Sequence, residues 1–334
     1  MTRPVVAVIT DYLPPATRGG AMRALVTMLA ALGEEVEFHV ITRDHDALTG
    51  DPLHVAGAGR WVEEGALNVL RLSREALTVR SVVEAIATIR PDIIFANSLF
   101  SRLTQRVLWA RWRGQIRASP LVIAPEGELV AGALAIKPVI LPYLPTQTPV
   151  PGRHDPKVAG KLRLLFLSRI SPKKNLGFLL KLLQGMSARI DLTIVGPVED
   201  EAHWAECRSL IAAMPSTISV NYAGPCAPGA VWPYYQAADA FVLPTLGENY
   251  GYVIEDALRA GCPPVISDRT PWQRVGESSA GFVLPLDAGR WSEVLARLAG
   301  MDETQHSNLR QRSMDLLASQ DSGTDLVNAY FVLF

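Results

Sequence analysis

Two stretches in the second half of the chain collect residue types that handle charged or hydroxylated small molecules. In Leu164-Leu-Phe-Leu-Ser168-Arg169-Ile-Ser-Pro-Lys173-Lys174-Asn175-Leu, an apolar run discharges an Arg into a loop, and Lys174 follows five residues later, just before a helix capped by Asn175. Two cations beside a helix start suit a diphosphate, Arg forking two oxygens and Lys acting as a point charge. An exposed basic loop after a strand has the same composition. The second stretch is Pro244-Thr-Leu-Gly-Glu248-Asn249-Tyr250-Gly251-Tyr-Val-Ile-Glu255-Asp256-Ala-Leu-Arg-Ala-Gly261-Cys-Pro-Pro-Val265. Here a buried strand ends at Pro244, a polar loop carries Glu248, and Gly251 turns the backbone into a helix that stops at Gly261 before a proline pair. Backbone N–H groups at that helix start can hold a phosphate or a sugar hydroxyl, with Glu248 beside them as an acceptor. An ordinary helix cap flanked by solvated acids fits the spacing equally well.

The elements that must position these loops follow from the pattern of the whole chain. It has 334 residues, 32 Lys+Arg against 33 Asp+Glu, and 49% hydrophobic residues. Near-neutral charge excludes an electrostatic nucleic-acid binder, which needs a surplus of cations to neutralise phosphates. Half the residues being apolar excludes disorder, and the apolar runs are too short to predict a transmembrane helix. Three cysteines, Cys207, Cys226 and Cys262, form no C-x-x-C pair, so no disulfide framework or structural zinc is expected and a reducing cytosol is the natural compartment. Short β-rich runs alternate with segments of helical period, which predicts βα units around parallel sheets. Strands are expected near Val5–Thr10, Val36–Thr42, Asn68–Leu72, Ile93–Ala96, Leu121–Ala124 and Val139–Leu141 in the first half. Those of the second half are expected near Leu162–Leu167, Leu192–Val195, Ile218–Tyr222, Ala240–Leu243, Pro264–Ser267 and Gly281–Leu284. Between the two series, Pro138, Pro142, Pro145, Pro149, Pro151 and Pro156 break every regular pattern. The expected organisation is α/β: a Rossmann-like domain over 1–145, a Pro-rich linker over 146–157 and a second Rossmann-like domain over 158–319.

In this order the two loops resemble the nucleotide-sugar half of the GT-B glycosyltransferases, specifically glycosyltransferase family 4 (glycosyl transferases group 1). Arg169 and Lys174 match the family's strand-Arg-x4-Lys loop, and Glu248-Asn249-Tyr250-Gly251 matches the start of its E-x7-E motif. Eight positions beyond Glu248 stands Asp256, so this chain reads E-x7-D; Glu255 lies about 100° round the helix and should face elsewhere. The resemblance implies two Rossmann-like domains facing a cleft. It implies that Arg169 and Lys174 neutralise the donor diphosphate, that Glu248 accepts hydroxyls of the transferred sugar, and that amides near Asn249, Tyr250 and Gly251 assist. Asp256 would hold the ribose, and the turn containing Gly224 and Cys226 would read the base. In the first half, the glycine loop ending in Gly19 and Gly20 would approach the donor or acceptor. Asn97 at a strand end is an acceptor contact or an ordinary cap, and Glu126 stands where many relatives carry a His or an Arg. A segment 320–334 is expected to cross back onto the first domain. Only a short stretch separates Ala124 from the strand expected at Val139, so the first domain reads as shortened.

The resulting expectation is a retaining, metal-independent hexosyltransferase. It uses a nucleotide sugar and a glycan or lipid-linked acceptor in envelope or polysaccharide synthesis, needs no cofactor, and works in the cytoplasm or at the inner face of the membrane. Two rivals share the motifs: a GT-B nucleotide-sugar epimerase, and a non-catalytic nucleotide- or glycan-binding relic. One feature lies outside the motifs. The helical segment 99–117 carries Arg102, Arg106, Arg111, Arg113 and Arg117 with Trp109 and Trp112, and no acid stands between Ser101 and Pro120. That pattern suits peripheral contact with an anionic membrane, and equally a solvated helix whose tryptophans pack on the sheet.

Overall fold

A computed structural model describes residues 3–16, 20–46, 50–55, 57–116, 119–124 and 154–318. Gly19, Arg117, Glu126, the strand expected at Val139–Leu141, the stretch on which the expected shortening rests, the linker up to residue 153 and the segment 320–334 lie outside them. The described residues form two compact units, one within Met1–Thr146 and one within Gln147–Gln320.

The first unit runs β1 (Val5–Ile9), α1 (Gly20–Leu32), β2 (Glu37–Arg43), β3 (Trp61–Glu64), β4 (Leu67–Leu72), α2 (Val79–Ile89), β5 (Ile93–Asn97), α3 (Arg102–Trp112) and β6 (Leu121–Ala124). Its sheet has the order β3-β4-β2-β1-β5-β6. All pairings are parallel except that of β3, which runs antiparallel to β4 with Trp61 opposite Leu70. Alternate side chains of β1 leave by opposite faces. Val6 and Val8 meet Leu25, Met28 and Leu29 of α1, while Ala7 and Ile9 meet the cluster formed by Val82 and Ile86 of α2 and Leu103 and Val107 of α3. Covering both faces is what a parallel sheet requires, and it explains why β1 and β5 read as unbroken apolar runs. Thr78 caps α2 by accepting from the Ser81 amide, and Ser101 caps α3 by accepting from the amides of Leu103 and Thr104. The latter cap starts α3 three residues after the expected Leu99.

The second unit continues with β7 (Lys161–Leu167), α4 (Leu176–Gln184), β8 (Arg189–Val195), α5 (Glu201–Ala212), β9 (Ile218–Gly224), α6 (Trp232–Ala237), β10 (Ala240–Leu243), α7 (Tyr252–Arg259), β11 (Pro264–Ser267), α8 (Arg274–Glu277), β12 (Phe282–Leu284), α9 (Ala288–Gly300) and α10 (Glu303–Ala318). The sheet order is β12-β11-β10-β7-β8-β9, and every pairing is parallel. The chain therefore winds outward from β7 to β9, returns to the other side of β7, and winds outward again. The order reverses between β7 and β10, and in doubly wound sheets ligands bind beyond the carboxyl ends of the strands at such a reversal.

The amino end of the same sheet is a structural lock. Asp239 is buried just before β10, where it accepts from the Arg163 amide at 2.8 Å and from the Arg163 guanidinium at 2.6 Å. The buried Lys157 ammonium lies 3.8 Å from the same carboxylate, and the Lys157 amide donates to Glu303. The last residues of the expected linker are thus built into the second unit. His306 Nε2 donates to the Asp239 carbonyl at 2.7 Å, and His154 donates to the Ala260 carbonyl. Burial pushes the pKa of both imidazoles down, and nearby cations (Arg310 for both, Lys157 for His306) add to it; the carbonyl contacts, and Asp239 for His306, oppose it. A histidine whose folded pKa lies below its unfolded value of about 6.5 stabilises the fold above that pH and loses the contribution as pH falls through the folded value. Thermal unfolding followed by circular dichroism should therefore show a midpoint that drops as pH is lowered from about 7 to about 5. His306→Gln, which retains a donor but cannot titrate, should flatten part of that drop.

Candidate functional site

The reversal of strand order brings two loops together at the carboxyl end of the second sheet: Ser168–Asn175 after β7 and Pro244–Gly251 after β10. They are fastened to each other by backbone, by one buried hydroxyl and by one side-chain amide. The Leu246 amide donates to the Lys173 carbonyl at 2.8 Å, the Thr245 hydroxyl lies 3.1 Å from the same carbonyl, and Asn175 Nδ2 donates to the Pro244 carbonyl at 3.0 Å. Ser267 at the end of β11 donates to the Thr245 carbonyl at 2.6 Å, and the Glu248 amide donates to the Arg269 carbonyl at 3.1 Å. Thr245 and Ser267 are fully buried. Their hydroxyls satisfy backbone groups that water does not reach.

Within this frame Lys174 and Glu248 form an ion pair, their side chains only 9% and 10% exposed. Burial pushes the Lys174 pKa down, Glu248 opposes that shift, and Arg169 and Lys173 add to it. Arg169 is placed differently. Its guanidinium pairs with Glu199 in the loop after β8, and the two side chains are 51% and 45% exposed. The two cations expected to act together are thus partnered apart, one buried and one in water.

Asn175 corrects the expected cap. It stands at the start of α4 in the left-handed region, φ 59°, and makes no capping hydrogen bond with its side chain; the amide ties the two loops together instead. At α7, Gly251 is the residue before the helix with φ 84° and no side-chain cap. A Cβ there would stand 2.9 Å from Ile254 Cδ1. The helix start is therefore left as bare backbone beside Glu248, with the positive end of the helix dipole. Tyr250 is fixed from behind, because Trp272 donates to its carbonyl and the two rings lie 5.2 Å apart. Trp272 is buried, as a packing anchor is. Asp256 and Glu255 are both buried on α7, and Glu255 pairs with Arg259 one turn on at 2.6 Å. Asp256 presents little surface at the strand ends.

Gly196, which motif reading passed over, lets the β8 exit touch the β7 exit. A Cβ at Gly196, φ 140°, would lie 2.0 Å from the Ser168 carbonyl oxygen. Gly224 follows at φ 78°, donated to by the Gly196 amide at 2.9 Å, and a Cβ there would meet nothing within 4 Å. Space is open beside this backbone. Cys226 is half-buried with its thiol directed at the Ala227 carbonyl, 3.3 Å away.

In the first unit the carboxyl end of the sheet carries a buried ion pair, Arg43 Nε to Asp11 Oδ1 at 2.8 Å, and Asn97 at the end of β5. Asn97 is 2% exposed, and neither its amide nitrogen nor its oxygen has a hydrogen-bond partner among the described residues. Burying an unsatisfied amide is costly, and few buried polar groups in a folded protein lack a partner. Gly20 is the first residue of α1.

Two doubly wound sheets of this kind, in units joined by a proline-rich stretch, define the GT-B fold. The solved structure of sucrose-phosphate synthase from Thermosynechococcus elongatus superposes with a TM-score of 0.71 at 18% identity, over 99% of this chain and 98% of that one. HepE from Anabaena, solved in complex with UDP-glucose, gives 0.69 at 14% identity over 99% of both chains. Residues 161–300, in the second unit, match the family model described as Glycosyl transferases group 1. Over 158 residues, 44% of the chain, it is 30% identical to the phosphatidyl-myo-inositol mannosyltransferase of Mycobacterium leprae (strain TN). That match spans 41% of the relative's length.

The different burial of the two ion pairs makes a quantitative contrast. Breaking a buried pair costs about 3–5 kcal/mol and an exposed one at most about 1 kcal/mol. Lys174→Met should accordingly lower stability in urea unfolding by about 3 kcal/mol, with Glu248→Gln restoring most of the loss in the double variant. Arg169→Gln should change stability by less than about 1 kcal/mol.

Proposed function

We propose that the protein is a retaining, metal-independent hexosyltransferase that carries a sugar from a nucleotide donor to a glycan or lipid-linked acceptor in polysaccharide or cell-envelope synthesis. The observation that carries this reading is the buried Lys174–Glu248 pair beside the uncapped start of α7, at the strand-order reversal of the second unit. A donor diphosphate reaching this point competes with Glu248 for the Lys174 ammonium and with Glu199 for the Arg169 guanidinium. The diphosphate carries two negative charges in all and offers the two cations more acceptor oxygens than a carboxylate does. Once Lys174 turns to the diphosphate, Glu248 is released as an acceptor for hydroxyls of the sugar, and the amides of Asn249, Tyr250 and Gly251 are in line to assist. The ribose falls to Asp256 and the base to the open backbone at Gly224 and Cys226.

The reaction breaks the bond between the anomeric carbon and the β-phosphate oxygen and forms one from the acceptor oxygen on the same face of the ring. The acceptor proton passes to the departing phosphate oxygen. Arg169 and Lys174 meet the charge that grows on the leaving group, which is electrostatic catalysis by preplaced cations. No protein nucleophile is invoked. On the acceptor side we assign Asn97, whose buried amide needs hydroxyl partners, together with the loop of Gly19 and Gly20 and with Glu126. UDP-glucose in the HepE complex and the mannosyl transfer named for the Mycobacterium leprae relative support a hexose donor. The lipid headgroup in that relative's name supports a lipid-linked acceptor, and with it a place at the cytoplasmic face of the membrane. Among the described residues no helix is long and apolar enough to cross a membrane.

Thermal-shift measurements with UDP, GDP and ADP and their hexose conjugates should show one nucleotide series raising the melting temperature. Glu248→Ala should leave diphosphate binding within about threefold and lower donor turnover about a hundredfold or more. Arg169→Gln should weaken diphosphate binding about tenfold, the worth of one charge-assisted contact of about 1.4 kcal/mol. Absence of binding by every nucleotide sugar sinks the transferase reading. Binding without turnover on any acceptor favours a non-catalytic relic, and interconversion of free nucleotide sugars favours an epimerase.

A further inference from the structure

Helix α3 has two readings on its residue pattern, and the burial of its side chains separates them. Leu103, Thr104, Val107 and Ala110 fill the face against the sheet. Trp109 and Trp112 do not join them; they are 42% and 80% exposed. Arg102, Arg106, Trp109 and Arg113 recur at the spacing of one outward stripe, with Gln105 and Trp112 alongside it. The Arg113 guanidinium lies 4.5 Å from the centre of the Trp109 ring, so cation and indole form one amphipathic surface. The Phe100 ring, just before the helix, is exposed too.

The charge on this face is one-sided. No Asp or Glu occurs between Ser101 and Pro120. Arg106 has its pKa pushed down, first by partial burial and then by the nearby Arg43 and Arg102, with Asp11 opposing. Positive groups are therefore crowded at a place where the chain as a whole is near neutral, with a net charge of −1. Electrostatic adsorption of a near-neutral chain must be local to a one-sided face of this kind. A second copy of the same face would set arginine against arginine, which disfavours a symmetric dimer here.

We propose that the outward face of α3 docks on the surface of a bilayer containing anionic phospholipid, with Trp109 and Trp112 entering the headgroup layer and Arg102, Arg106 and Arg113 pairing with lipid phosphates. Indole rings with an apolar body and a polar edge partition to that layer. Arginine stems follow the apolar surface while their heads reach phosphate. The helix lies in the interface plane and does not cross it. This docking is a property of the surface, read without turnover, and it stands or falls separately from the transfer reaction.

Cosedimentation of the full chain with vesicles tests it. The protein should pellet with vesicles of equimolar phosphatidylcholine and phosphatidylglycerol, and stay largely in solution with pure phosphatidylcholine. Raising the salt concentration should release it, because headgroup attraction is screened. Trp112→Ala, which removes a water-facing side chain and leaves the melting temperature unchanged, should reduce the partition several-fold, and the Trp109→Ala/Trp112→Ala pair at least about tenfold. Replacing Arg102 or Arg113 by Gln should lower it about fivefold per charge. The proposal is overturned by equal binding to both vesicle types, by unchanged binding of the double tryptophan variant, or by no binding at all. It is also overturned if ultracentrifugation shows a dimer that Trp112→Ala dissolves while vesicles are ignored.

Discussion

The chemistry proposed for the second unit rests on an ammonium and a carboxylate held together out of water at the point where the sheet changes winding direction. Such a pair is expensive to bury, and its mutual attraction offsets the lost hydration only while the geometry is held. Here the geometry is held by bonds onto backbone carbonyls: the loop of Lys174 and the loop of Glu248 are tied through the Leu246 amide and the side chains of Thr245 and Asn175, and Ser267 fixes the Thr245 carbonyl from the next strand. The two side chains meet because the strands beneath them are neighbours only in space. β7 and β10 are separated in sequence by two strands and three helices. The parallel order puts them side by side, and everything proposed for the donor follows from that adjacency.

The second cation plays a different part because its surroundings differ. Arg169 stands in water with Glu199, where an ion pair has little net energy and exchanges partners readily. Lys174 stands in low dielectric, where releasing Glu248 is costly unless a stronger anion replaces it. A diphosphate bridging the two would be captured at the exposed arginine and positioned at the buried lysine. The division of labour is a consequence of burial and not of residue type alone.

Much of this was legible in the chain itself, and the parts that were not share a cause. The alternation of apolar runs with helical segments foretold the βα order of both units, and α1 and α2 carry apolar faces that bury against the first sheet. The antiparallel edge strand β3 leaves no mark in the sequence, because Trp61-Val-Glu-Glu has no buried face to produce a pattern. Asn175 looked like a cap because Asn usually is one before a helix; its left-handed backbone and its bond to Pro244 depend on a loop some seventy residues away. Gly196 and Thr245 belong to the same class. Each is defined by what another strand's loop brings to it, and local spacing carries no record of that.

Helix α3 shows where pattern reading meets its boundary from the other side. Its inward face is already complete with Leu103, Val107 and Ala110, so the sheet has no need of the indoles. Outward placement of two tryptophans is then a standing cost in water, since large apolar rings are normally withdrawn from it. A sequence under no other demand would lose that cost with a single polar substitution at Trp112. That both rings occur with arginines and without a single acid for twenty residues ties the cost to one compensating environment, an interface that is apolar enough for indole and anionic enough for guanidinium.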